Sequence, residues 1–207
     1  MTDDTITVIS AGATGVPAHP RIRSAGHAET GAEAVAKVLT EVPDVLVLDA
    51  RIDDPDARQV CRRIREWAPA TQVLAVSTLD DEAVYTTLIA GAMGAVLSSI
   101  NPHDLAEAVI ATSRGESVLQ ARMAFRILHD IDQWAERSAD PLYPPPTLTA
   151  TEREVLGQLG SGQSADTIAA THAVTAHLVN LHASYAVTKL HRYVHGVSTL
   201  SAFGTTS

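Results

Sequence analysis

Short apolar runs alternate with amphipathic stretches through the first 118 residues of the chain. Residues 6–10 (ITVIS), 21–24 (RIRS), 45–48 (VLVL), 72–77 (QVLAVS) and 95–97 (AVL) have the length and β-branched content of buried strands. Between them the 3.6-residue period predicts helices over Gly31–Glu41, Ala57–Trp67, Asp81–Ala90 and Pro102–Arg114. Asn101 before Pro102 is a cap-and-first-turn pair, and Thr78 stands three residues ahead of Asp81. Strands alternating with helices imply a doubly wound parallel sheet. A further helical stretch over Ala121–Ala139 leads to PLYPPPT, where Pro141, Pro144, Pro145 and Pro146 rule out a helix interior and favour a stiff spacer.

Beyond the spacer the pattern is helical throughout. Thr149-Ala-Thr-Glu152 spells a capping box opening a helix that runs to Leu159, and Gly160 with Gly162 ends it. A short helix over Ser164–Ala170, a turn and a longer helix over Thr175–Leu190 follow. Val179, Ala183, Ala186, Val187 and Leu190 fall on one face of the last. A tight turn before a longer helix is the helix-turn-helix outline.

Composition narrows the class. With 45% hydrophobic residues in 207, the chain can bury a core, and one cysteine, Cys61, excludes a disulfide scaffold and any multi-cysteine zinc site. No stretch reads as a signal peptide or a membrane span, so we expect a cytoplasmic protein without a membrane partner. Up to Thr147 there are 12 Lys+Arg against 21 Asp+Glu; from Leu148 onward there are three of each. The acidic first part and neutral second part suggest two units of different task. His172, His177 and His182 recur every five residues, which turns each away from the last on a helix, so packed or solvated histidines are expected rather than a metal site.

GAEAVAKVLTEVPDVLVLDAR, VCRRIRE, GAMGAVL and NPHDLAEAVIATSRGESVL resemble successive segments of response-regulator receivers. LTATEREVLGQLGSGQSADTIA resembles the opening of a LuxR-type DNA-binding domain. In order and spacing the chain is similar to the NarL/FixJ type. That resemblance implies a flavodoxin-like receiver over 1–118, a linker helix and Pro-rich spacer over 119–147, and an all-α helix-turn-helix domain over 148–207. It places the phosphoacceptor at Asp49, at the carboxyl end of the third strand, where doubly wound sheets bind ligands.

The resemblance also shows what is altered. The acidic pair that would hold Mg²⁺ aligns with Ser10 and Ala11, and the receiver lysine with Ser98; Ser77 keeps a hydroxyl at the end of strand four, and Ala95 stands at the aromatic switch position. Without those charges a carboxylate has little help against an approaching phosphoryl anion. Asp49 is accordingly expected to be inactive as an acceptor, with Asp53, Asp54 and Asp56 forming a solvated acidic loop. The first helix is expected to be missing, because AGATGVPAHP between Ser10 and Arg21 cannot sustain one, and its face of the sheet would then need another cover. By the same resemblance the groove-facing residues are Asn180, Leu181, Ser184, Tyr185 and Thr188, with Lys189 nearby. Lys189 and Arg192 are the only cations in 172–195.

The expected function is an atypical, phosphorylation-independent transcription factor, with no catalysis and no cofactor, that binds DNA as a homodimer. Another regulator or a small ligand is the expected source of control. The dimer contact is expected from helix Pro102–Arg114 and from the apolar strip Met123, Phe125, Ile127, Leu128, Ile131 and Trp134. The alternative is an interaction module that has lost specific DNA binding.

Overall fold

The computed structural model describes residues 5–77, 81–97, 101–137 and 144–203, residue 81 and the stretch 197–203 by their backbone alone. The chain forms two compact units that meet in sequence between Val118 and Leu119. In the first, strands β1 (Ile6–Ala11), β2 (Ile22–Ala28), β3 (Val45–Asp49), β4 (Gln72–Ser77) and β5 (Gly94–Leu97) make one parallel sheet ordered β2-β1-β3-β4-β5. Register runs through Ile6 opposite Ile22, Val8 opposite Val45, Leu46 opposite Val73, and Leu74 opposite Gly94. Every residue of β3 is buried, because both faces of a parallel sheet are covered.

Helices α1 (Gly31–Glu41), α2 (Ala57–Trp67), α3 (Asp81–Ala90) and α4 (Pro102–Ser113) supply that cover. Side-chain oxygens of Thr30, Asp56 and Asn101 accept from the amides of Glu33, Gln59 and Asp104, capping α1, α2 and α4. The start signal read at Thr78 lies outside the described residues.

Residues 12–21 contain no helix, so β1 passes to its parallel neighbour β2 through ten irregular residues. Returning along a six-residue strand requires about 20 Å, which ten extended residues span easily. The expected exposure of the sheet does not follow. Ile6, Val8, Val45, Val47, Leu74, Val76 and Val96 cluster with Ala108, Val109 and Ile110 of α4, and Val16 from the return segment packs against them. Beside it, Pro17 is buried. The vacancy is filled from within the unit, because a short loop carrying one valine can lie flat where a helix would stand. β2 also outruns the RIRS segment: a register shift opposite Val8/Ile9, with Gly26 at φ +144°, interrupts its alternation and hides its second half from a period-two reading.

The second unit holds α5 (Ala121–Arg137), α6 (Ala150–Gly160), α7 (Ala165–His172) and α8 (Ala176–Phe203). Thr149 and Glu152 form the capping box reciprocally at the start of α6. Val179, Ala183, Ala186, Val187 and Leu190 of α8 are buried with Val155, Leu156 and Leu159 of α6 and Ile168 of α7. α5 packs along α6, and its Met123, Ala124, Ile127 and Ile131 are buried there, so three of the six residues expected to join two subunits are spent inside this unit. Leu128 and Trp134 are half-buried, and Phe125 is 63% exposed. α8 continues 13 residues past Leu190, and the Tyr193 ring lies 4.9 Å from that of Trp134 on α5. Among the described residues no helix is long and apolar enough to cross a membrane.

Candidate functional site

Asp49 ends β3 and is 8% exposed. Each carboxylate oxygen accepts one backbone amide: that of Ala13 donates to Oδ2 (3.1 Å) and that of Arg51 to Oδ1 (2.9 Å). Gly12 brings the return segment over it at φ +81°, and a Cβ on Gly12 would stand 2.6 Å from the Asp49 Cβ. Only a residue without a side chain permits that approach. The carboxylate therefore anchors the segment that replaces the first helix.

A concavity of about 620 Å³ opens beside it, lined by Gly12, Ala13, His27, Thr30, Arg51 and Asp53 among others. Ser10 and Ala11 do not line it: they are buried in β1, and the Ser10 hydroxyl is 2.8 Å from Nδ1 of His27. The resemblance implies Mg²⁺ held by a carboxylate pair at these two positions. Ala11 offers no ligand atom and Ser10 a single hydroxyl already paired, so the residues do not fit a hard dication that prefers carboxylate oxygens. Among the described residues no group of three His, Cys, Asp or Glu is placed to hold a metal. Ser77 is buried at the end of β4, one residue beyond the Val76 that faces Asp49 across the ladder, and Ala95 is buried in β5. Ser98 lies outside the described residues.

The acidic loop has a local structural task. The carbonyls of Asp53 and Asp54 accept from the amides of Gly31 and Ala32, satisfying orphan donors at the start of α1. Asp56 caps α2 and pairs with Arg58 at 3.0 Å. Burial pushes the Cys61 thiol up to about 12, which leaves no thiolate for chemistry.

In the second unit the positions expected to face a groove divide into two groups. Leu181, Tyr185 and Thr188 stand at i, i+4 and i+7 on the outward side of α8; Tyr185 is 49% exposed, whereas Leu181, Thr188 and Asn180 are half-buried. Ser184 is corrected: it is buried on the same edge as Val187 and His191, and its hydroxyl donates to the Asn180 carbonyl at 2.8 Å. Lys189 is corrected as well. Its ammonium donates to Glu152 Oε2 (2.7 Å), Glu152 Oε1 (2.9 Å) and the Thr147 carbonyl (3.1 Å). Burial raises the Glu152 carboxyl, but the hydrogen bonds from Lys189 and from the Thr149 amide outweigh it and hold the group below its ordinary value. Lys189 locks α8 onto the α6 cap and is not a free cation. The pairing spans 37 residues and carries no sequence signal beyond two opposite charges. Of the cations in 172–195, Arg192 remains exposed.

The histidines serve separate surroundings. His172 lies 3.0 Å from the Gln158 side chain, His182 meets the Tyr185 ring edge-on at 6.1 Å, and His191 is buried.

A model of the response regulator receiver domain matches residues 2–110. Response regulator protein VraR of Staphylococcus aureus (strain NCTC 8325 / PS 47) is 32% identical over 170 residues, covering 82% of this chain and 78% of VraR. The crystal structure of response regulator ChrA of a heme-sensing two-component system aligns over 91% of this chain and 98% of ChrA, with TM-score 0.51 and 23% identity. A LuxR-family two-component response regulator from Aurantimonas sp. SI85-9A1 aligns over 61% of this chain and 97% of its own, with TM-score 0.53 and 22% identity. At those identities the two structures speak for the fold.

Proposed function

Because this chain belongs to the response regulators, of the NarL/FixJ type, we propose that it is a transcription factor that binds DNA through α7 and α8 without control by phosphorylation of Asp49. The observation that carries the second half is the Asp49 carboxylate, buried and accepting two backbone amides while Ser10 and Ala11 stand where metal-binding carboxylates would be. Attack by a carboxylate on a phosphoryl anion requires the accumulated negative charge to be offset. Here each Asp49 oxygen already holds a backbone amide, and the side chains of Ser10 and Ala11 supply no metal ligand to provide that offset.

DNA binding is supported by the helix-turn-helix arrangement and by the outward row of Leu181, Tyr185 and Thr188 on α8. Two such units in a homodimer would match the two-fold symmetry of most helix-turn-helix operators. Control then falls to abundance, a small ligand or another regulator.

The engagement of Lys189 and the burial of Ser184 favour a second reading, an interaction module without specific DNA binding. Anisotropy titrations on DNA from upstream of its own coding region and on random duplex, at several salt concentrations, separate the two. The first reading predicts tighter binding to the cognate duplex, lost in Tyr185→Ala. Equal, weak binding to both duplexes, unchanged by Tyr185→Ala, contradicts it.

A further inference from the structure

Phe125 is the most exposed large apolar side chain among the described residues. It stands on the face of α5 turned away from α6, because Met123, Ala124, Ile127 and Ile131 bury the opposite face. Arg122, Phe125, His129, Gln133 and Glu136 follow one another there at steps of three, four, four and three. Steps of three and four keep side chains on one side of a helix, so the five form a single stripe about 21 Å long. All but the half-buried Gln133 are exposed.

The middle of the stripe is a joined platform. The rings of Phe125 and His129 are within 5° of parallel with centroids 6.4 Å apart, and the Gln133 amide nitrogen lies 2.7 Å from Nε2 of His129. A concavity of about 570 Å³ runs beside Arg122, Phe125 and His129 as far as Gly160 of α6, whose missing side chain keeps its rim low. The ends of the stripe carry opposite charges, Arg122 toward the start of α5 and Glu136 toward its end. Asp132 does not alter that order, since Arg153 of α6 already holds it at 2.9 Å. Arg137 is turned about 100° round the helix from Glu136.

The spacing is the same read from either end, with His129 at its centre. A two-fold axis there exchanges position 122 with 136 and position 125 with 133, and so brings unlike charges together at both ends. A surface that complements itself in this way is what an isologous contact requires. We propose that this stripe joins two copies of the chain, with their α5 helices packed antiparallel about His129. Arg122 of each copy then faces Glu136 of the other, and each Phe125 lies over His129 and Gln133 of the other. Aromatic side chains at the centre and charges at the rim match the anatomy of protein interfaces. Antiparallel packing also sets the two helix dipoles against each other favourably. A nucleic acid is negative along its whole length and would match the Arg122 end alone. A foreign helix would have to repeat this same order of charges. The contact supplies the two-fold that the DNA-binding reading calls for, but its test uses no DNA, so either can fail alone.

One helix on one helix is a small contact, so association is expected at roughly tens of micromolar. The full chain is followed by sedimentation equilibrium from about 5 to 300 µM, a range that brackets such an affinity. The proposal predicts a monomer–dimer equilibrium that weakens as salt rises and weakens about tenfold or more in Phe125→Ser. Arg122→Glu and Glu136→Arg should each weaken it, and the double variant, which restores opposite charges across the axis, should recover it. In His129→Cys a short bis-maleimide should link two copies, while the wild type stays unlinked because Cys61 is buried. Unchanged melting temperatures separate lost contact from lost folding. A monomer throughout the range, dimers indifferent to Phe125→Ser, charge reversals whose losses add in the double variant, or an unlinked His129→Cys would each overturn it.

Discussion

The ammonium of Lys189 lies 2.7 Å from Oε2 of Glu152, joining the middle of α8 to the first turn of α6 across 37 residues. Glu152 is at the same time the third residue of α6 and the closing member of its capping box, receiving the Thr149 amide at 2.8 Å. One carboxylate thus closes the start of α6 and ties α8 to it. Its side chain is 5% exposed, so its charge is tolerated only because those donors surround it.

Replacing Lys189 with Met should therefore weaken folding, not merely DNA contact. Removing the partner strands a buried carboxylate, and a loss of about 2 kcal/mol is expected. Urea denaturation followed by circular dichroism measures it. An unchanged midpoint would mean that Lys189 is free for another partner.

The same pair sets a pH dependence. The Glu152 carboxyl is held below its unfolded value of 4.5, so its contribution is fully present above that pH and is lost as pH falls through the lower folded value. In Lys189→Met the two Lys189 contributions are lost while burial and the Thr149 bonds remain, so the carboxyl moves back up. Thermal melts of both proteins between pH 3 and pH 7 (roughly the span over which a carboxylate titrates) should show a shallower acid loss from this residue in Lys189→Met.

At the other site, Asp49→Asn should destabilise the first unit. An asparagine keeps one acceptor oxygen and turns an amide donor toward the other backbone N–H, a cost of about 1–3 kcal/mol. Gly12→Ala should do likewise, through its positive φ and the 2.6 Å approach to the Asp49 Cβ. Denaturant titration of each variant checks this, and no loss in either would remove the anchoring role of Asp49.

Much of this architecture was legible because local chemistry and tertiary demand agree. α1, α2 and α3 run between the residues their periodicity predicts, and the Thr149 box and the Asn101–Pro102 start are found as read. The misses share a cause: apolarity and charge do not name their partner. The strip on α5 has the period of an interface, yet its Met123, Ile127 and Ile131 are buried within its own unit, because α6 offers the nearer apolar face. Lys189 looks like a phosphate ligand until a carboxylate far off in sequence is placed beside it. Leu190 ends the apolar pattern of α8, yet no proline follows and backbone bonds carry the helix on to Phe203. The loss of a helix after β1 was readable from two glycines and two prolines; that Val16 would fill its place was not.

On α8, Asn180→Lys places a cation at the edge of the outward face. If that face enters a groove, binding should tighten on every duplex and the log–log salt slope should steepen by about one unit. A weakening confined to the cognate site would instead mean that Asn180 reads a base, at about 1–3 kcal/mol. Titrations on cognate and random DNA at several salt concentrations distinguish these outcomes, and no change on either duplex would take α8 out of the groove.

Whether Asp49 controls this protein can be settled on a single sample. The chain is incubated with a small phosphodonor and Mg²⁺, its intact mass is recorded, and the same sample is titrated on its cognate DNA. An Asp49 that holds the amides of Ala13 and Arg51 and has Ser10 and Ala11 in place of metal-binding carboxylates predicts an unchanged mass and a binding curve superimposable on that of the untreated protein. A stoichiometric gain of one phosphoryl group, abolished in Asp49→Asn and accompanied by a shifted binding curve, would contradict phosphorylation-independent control.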